Sequence, residues 1–140
     1  MKNKNMAEQI NETIEDLWMI LEKKERAYTN FKLNNQQYVL LTLIIRFPYS
    51  SPTELAEKME ITKSAVSQQI AKLEKEDYII RKQHSGDKRA FSIELGEKGL
   101  LYQKEMETFN QQISEKYYAN LSTEEMENML LILQKLKGIL

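Results

Sequence analysis

The stretch that most constrains this chain runs from Ser51 to Leu73, "SPTELAEKMEITKSAVSQQIAKL", because it holds two helix starts separated by room for only a tight turn. In "SPTE", Ser51 can cap, Pro52 takes the first helical position, where a missing N–H costs nothing, and Glu54 reaches back as in a capping box. The spacing predicts a short helix ending near Met59. Thr62 then caps a second helix whose inward stripe is Val66, Gln69, Ile70 and Leu73. A short capped helix, a tight turn and a second helix with a polar outer face make the helix-turn-helix arrangement.

The outer face of that second helix is Ser64, Ser67, Gln68, Ala71 and Lys72, with Lys63 at its start and no acidic residue before Glu74. A small, hydrogen-bonding, acid-free face is what a helix needs to enter a DNA major groove and read base edges. The same residues also make an ordinary solvated surface. The residues next along the chain help to decide: in "YIIRKQHSGDKRAFSIEL", β-prone segments near 78–82 and 90–95 flank a Ser-Gly-Asp turn and predict a hairpin.

Charge is uneven along the chain. The net charge is −1, yet residues 61–73 carry Lys63 and Lys72 with no acid, and 79–93 carry Arg81, Lys82, Lys88 and Arg89 against Asp87 alone. A charge run is also how a solvated face looks, so charge by itself decides nothing. Position adds to it, because a basic hairpin tip directly after a candidate recognition helix is placed to reach the neighbouring minor groove. Arginine is scarce here, at four of the twenty basic residues, and two of the four, Arg81 and Arg89, flank this turn.

The flanks are helical. Ile10, Ile14, Leu17, Trp18 and Leu21 keep helical spacing through a segment of roughly 6–29, and "QQYVLLTLIIRF" (36–47) is apolar nearly all round, as a buried helix would be, until Pro48 stops it. A strand would also fit that run, but helix is preferred because an unmistakable helix start lies just beyond it. Gly96 can open a long helix through about Tyr118, and "STEE" at 122–125 is a further capping box. Met126, Met129, Leu130, Leu133, Leu136 and Leu140, widened by Ile132, form a terminal stripe that reads as a dimer seam shared with the N-terminal helix rather than as packing on the chain's own core.

At 140 residues the chain fits one domain, or a compact core with an appended oligomerisation element. No apolar run approaches a membrane span, the N-terminus has no signal-peptide character, and cysteine is absent, so the expected compartment is cytoplasmic and a thiol redox switch is excluded. Enzyme chemistry is not expected. Ser64, Ser67, Ser85, His84 and Asp87 could in principle supply nucleophile, base and orienter, but His84, Ser85 and Asp87 share one polar turn with nothing to exclude water or form an oxyanion site, and no carboxylate pair sits at a pocket-like apolar position. The lone His84 has no partner for a metal, and no glycine-rich phosphate loop suggests a cofactor.

From 51 to 99, "TELAEKMEITKSAVSQQIAKLEKEDYIIRKQHSGDKRAFSIELGEKG" resembles the MarR-type winged-helix transcriptional regulators, including an Asp-x-Arg wing motif at Asp87, Lys88 and Arg89. The resemblance implies a mainly α fold with one small β-hairpin wing. It places Ser64, Ser67 and Gln68 on the base-facing side, sends Arg89 into the minor groove with Asp87 holding it, and implies a homodimer joined by both terminal regions. Family members often bind aromatic or phenolic effectors between the dimer helices and the DNA-binding lobe, where Trp18, Tyr28, Phe31 and Tyr38 are the candidates; core packing explains these four as well. Two positions depart from the pattern: Asp77 stands where a glycine is common in "LExxG", and Gln68 where arginine is frequent, which favours adenine contacts over guanine.

The expected organisation is a dimerisation helix (1–33), a winged helix-turn-helix domain (34–98) and C-terminal dimerisation helices (99–140). The expected function is a ligand-responsive repressor that binds double-stranded DNA as a homodimer on a pseudo-palindromic operator. The competing reading is a winged-helix adaptor that binds protein through the same faces, and salt-sensitive binding to duplex DNA separates the two.

Overall fold

A computed structural model describes residues 3–83 and 91–140. The elements run α1 (Met6–Tyr28), α2 (Asn35–Arg46), α3 (Pro52–Met59), α4 (Lys63–Lys75), β1 (Ile79–Gln83), β2 (Phe91–Leu95), α5 (Glu97–Asn120) and α6 (Thr123–Ile139). The chain divides into two compact units, Met1–Glu105 and Met106–Leu140, with the division inside α5. The fold is mainly α with one small antiparallel hairpin, as expected.

Most helix starts are set by side-chain oxygens that satisfy the otherwise orphaned first-turn amides. Asn5, Asn34 and Ser122 form full capping boxes with Glu8, Gln37 and Glu125. At Ser51 the box is only half made. The Ser51 hydroxyl accepts from the Glu54 amide and donates to the Glu54 carboxylate, 3.1 Å in each case, so Glu54 reaches the hydroxyl and not the cap's backbone N–H. Thr62 caps α4 by accepting from the Ala65 amide at 3.1 Å.

The core of the first unit is assembled from single faces of several elements. Leu40, Leu41 and Ile44 of α2 meet Leu55 of α3, Val66, Ile70 and Leu73 of α4, Ile79 and Ile93 of the hairpin and Tyr102 of α5, all buried. Gln69, the polar member of the inward stripe of α4, turns toward α2, where its amide donates to Gln36 Oε1 at 2.8 Å. In β1 only Ile79 is buried, and the pairing runs from Ile79 opposite Leu95 to Gln83 opposite Phe91.

Two turns fix the angle between elements without glycine. Glu60 ends α3 in the left-handed region at φ 54°, and the Ile61 amide returns to the Ala56 carbonyl. Asp77 does the same after α4, at φ 64°, with the Tyr78 amide on the Leu73 carbonyl. Both are helix ends in which a left-handed residue lets the chain turn back on its last carbonyls, a geometry glycine adopts without steric cost. Aspartate in place of the commoner glycine is thus accommodated with the turn intact. Glu60→Gly is expected to stabilise the fold by about 1 kcal/mol and Asp77→Gly by less, because aspartate tolerates this region better. Urea denaturation checks both, and a loss of stability at either would show that the side chain supports its turn.

Candidate nucleic-acid interface

On α4 the structure leaves Lys63, Ser64, Ser67, Gln68 and Lys72 exposed while Val66, Ile70 and Leu73 are buried. The division follows from helical spacing: 64, 67, 68, 71 and 72 lie three and four apart and share the face opposite the core stripe. From Ser64 to Lys72 the helix rises about 12 Å, the length of three to four base-pair steps. No acidic side chain lies in the first turn of α4. Glu74, the first acid after the polar face, is engaged by Arg81, whose Nε lies 3.3 Å from Glu74 Oε1.

The hairpin begins directly behind that helix. Arg81 and Lys82 are exposed on β1, and Lys82 Nζ lies 3.9 Å from Glu94 Oε1 on β2. Asp87, Lys88 and Arg89, the wing residues named from the sequence, lie outside the described residues, as does His84.

The four aromatic candidates for an effector pocket are not gathered into one cluster within the chain. Phe31 packs edge-on against Tyr102, ring centres 5.3 Å apart, and more loosely on Tyr78 at 6.2 Å. Tyr38 belongs to the same neighbourhood, since its hydroxyl and that of Tyr102 interact electrostatically with each other and with Glu25. Trp18 is 62 % exposed on α1, and ten residues of helix, about 15 Å of rise, separate it from Tyr28. Glu25, Tyr78 and Tyr102 were missed from the sequence. The 3.6-residue period places Glu25 on the side of α1 shared with Tyr28, but nothing local marks Tyr78 and Tyr102 as its neighbours.

This cluster is electrostatically unusual. Burial, followed by the nearby Glu22, raises the Glu25 carboxyl above its ordinary value. Burial, then Tyr38, Glu25 and Tyr78, pushes the Tyr102 hydroxyl far above the ordinary tyrosine range. Burial and Glu25 raise Tyr38 as well, opposed by Arg46 and a hydrogen bond with Thr42. Such a cluster favours neutral groups over further anions.

A two-helix turn followed by an antiparallel hairpin, with the polar helix face outward, defines a winged-helix protein. Residues 33–91 match the sequence model of the MarR family, whose members are transcriptional regulators and not enzymes. An uncharacterised HTH-type transcriptional regulator of Bacillus cereus is 37 % identical over 70 residues, 50 % of this chain and 48 % of that protein. The chain thus spans about half the length of the curated relatives it matches at this identity. Among solved structures, Streptococcus pneumoniae FabT in complex with DNA superposes with a TM-score of 0.80 at 22 % identity, over 95 % of this chain and 96 % of that one. Staphylococcus aureus MarR in complex with salicylate and kanamycin gives 0.74 at 19 % identity, over 95 % and 90 %. At these identities both likenesses establish the fold.

Proposed function

We propose that the chain is a homodimeric, double-stranded DNA-binding repressor acting in the cytoplasm, with α4 as its recognition helix. The observation that carries this reading is the exposed, acid-free face of Lys63, Ser64, Ser67, Gln68 and Lys72, set on a helix whose other face is locked into the core. Ser64, Ser67 and Gln68 contact base edges, Gln68 pairing best with adenine, while Lys63, Lys72 and Lys88 meet phosphates. FabT, of the same fold, is known in complex with DNA. No helix among the described residues is long and apolar enough to cross a membrane.

The second copy is supplied by the terminal helices. Neither α1 nor α6 has a buried residue, and their apolar side chains, Ile10, Ile14, Leu17 and Leu21 on one and Met129, Leu130, Ile132 and Leu133 on the other, are exposed in the single chain. Stripes of this kind are covered in assembled proteins. Two-fold symmetry then sets two recognition helices about one DNA turn apart, roughly 10 base pairs between half-site centres. Selection of bound duplexes from a randomised pool should return inverted repeats at that spacing; enrichment of single unrepeated half-sites, or of nothing, would refute the reading. An adaptor that binds only protein would return nothing.

A small aromatic, uncharged or weakly acidic effector would fit beside Phe31, Tyr38, Tyr78 and Tyr102, with Tyr28 on the same helix as Glu25; Trp18 would serve only through the dimer. S. aureus MarR, of the same fold, is known in complex with salicylate and kanamycin; in this chain the burial and the Glu25 charge that raise Tyr38 and Tyr102 favour an uncharged aromatic ligand over a carboxylate such as salicylate.

In the wing, Arg89 enters the minor groove and Asp87 accepts from its guanidinium. A narrow, A/T-rich groove concentrates negative potential, and a planar, weakly hydrated guanidinium enters it at lower cost than an ammonium. Arg89→Ala should cost about 1 to 3 kcal/mol of operator binding, and Arg89→Lys most of that. Asp87→Ala is the sharper variant. Removing a negative charge near DNA tightens binding if charge alone matters, whereas loss of aim weakens it. Anisotropy titrations at two salt concentrations distinguish them, and tighter binding at both would sink the aiming role.

A further inference from the structure

The base of the hairpin carries an arginine to which the proposed DNA interface gives no role. Arg81 sits on β1 opposite Ile93, which makes Phe91, two residues back along β2, its diagonal neighbour on the same face of the pair. The guanidinium carbon lies 4.9 Å from the centre of the Phe91 ring, and the Arg81 Nε lies 3.3 Å from Glu74 Oε1 in the last turn of α4. One side chain therefore joins the recognition helix to both strands of the wing.

We propose that Arg81 is a positioning residue, held between Glu74 and Phe91, that sets the direction of the hairpin against the recognition helix and so determines which flanking base pairs the wing can read. The inference rests on the proposed DNA-binding function. Stability is not a sufficient reason for the arrangement, because its ionic partners are 37 % and 40 % exposed and a pair so open to solvent contributes little to folding. Orientation is what the contact adds. A guanidinium can lay its face on a ring while its edge donates to a carboxylate, whereas the compact ammonium of lysine meets one partner or the other. In a chain with four arginines among twenty basic residues, this position uses the property that lysine lacks.

Leverage makes the contact matter. A strand advances about 3.3 Å per residue, so a small angular error at Arg81 grows along the hairpin. The same pairing ties the first acid after the polar face of α4 to the wing. Lys82, the neighbouring cation, makes its ion pair with Glu94 and does not duplicate this bridge to α4.

The experiment uses duplexes selected from a randomised pool by the full-length protein, resynthesised with either A/T or G/C pairs in the flanks reached by the wing. Affinity for both is measured by anisotropy for wild type, Arg81→Lys, Glu74→Gln and Phe91→Leu, beside the thermal midpoint of each protein. Arg81→Lys keeps the charge, so it is expected to leave the midpoint nearly unchanged and to shrink the A/T-over-G/C preference by about fivefold. Glu74→Gln removes an anion near DNA, and if charge were its only role it would tighten binding to both duplexes equally; loss of the preference is expected instead. Phe91→Leu should match Arg81→Lys in preference even if it is less stable. An unchanged preference in Arg81→Lys and Glu74→Gln overturns the positioning role while the DNA-binding reading stands. A wild-type protein that selects no duplex overturns that reading itself, and with it the role assigned to Arg81.

Discussion

Deletion of residues 122–140 is expected to leave a monomeric or aggregating protein whose operator affinity falls by about 10² to 10⁴, the gain that linking two half-site contacts supplies. The expectation follows from what α6 lacks. The helix is well started, with Ser122 accepting from the Glu125 amide at 3.1 Å and the Glu125 carboxylate accepting from the Ser122 amide at 2.9 Å, yet it has no buried residue. Leu130, Leu131, Ile132 and Leu133 are each about half or more exposed, at 58, 66, 57 and 48 %. An amphipathic helix in a small protein gains most of its stability from covering such a face, and the face here is uncovered within one chain. Sedimentation velocity on the truncated protein reads the outcome directly. A soluble, fully dimeric truncation would remove α6 from the seam.

The second large effect is at the joint between the hairpin and α5. A Cβ added at Gly99 would stand 2.0 Å from the Tyr78 carbonyl oxygen, and that oxygen already accepts from the Gly96 amide at 2.9 Å. The added atom is fixed to one backbone and the oxygen belongs to another, so no rotamer change relieves the conflict. The first turn of α5 must move away from the turn after α4, disturbing Tyr78 and Ile79, which are fully buried. Gly99→Ala should therefore destabilise the protein by about 3 kcal/mol, the upper part of the usual range for overpacking. Gly138, with nothing within 4 Å of its added Cβ, provides the contrast. Gly138→Ala should hold or raise stability, since alanine is the better helix former. Urea denaturation of the two variants checks the pair, and equal midpoints would mean that the α5 joint is looser than its geometry.

Much of the fold was readable from local rules. Val66, Ile70 and Leu73 are buried and Ser64, Ser67 and Gln68 exposed, as the 3.6-residue period required, because one polar face and one apolar face admit only one way of docking. Thr62 and Ser122 cap where expected, since each oxygen finds its amide within its own turn. Two kinds of information were not legible. Asn5 and Asn34 cap α1 and α2, but an asparagine before a polar first turn looks like any loop residue until the helix is known to start there. The contacts of Phe31 with Tyr102 and of Glu74 with Arg81 join elements distant in sequence or at an angle set by a turn. Periodicity says which face is inward; it does not say which partner waits there.

The central claim is that the polar face of α4 and the basic hairpin meet duplex DNA. The measurement that tests it most directly is the equilibrium affinity of the full-length protein for a selected inverted-repeat duplex across a salt series. If Lys63, Lys72, Lys88 and Arg89 of two protomers contribute, eight cations in all, log K should fall against log salt with a slope of about −7, and a scrambled duplex should bind far more weakly at each salt concentration. A flat dependence, or equal affinity for the scrambled duplex, would contradict it.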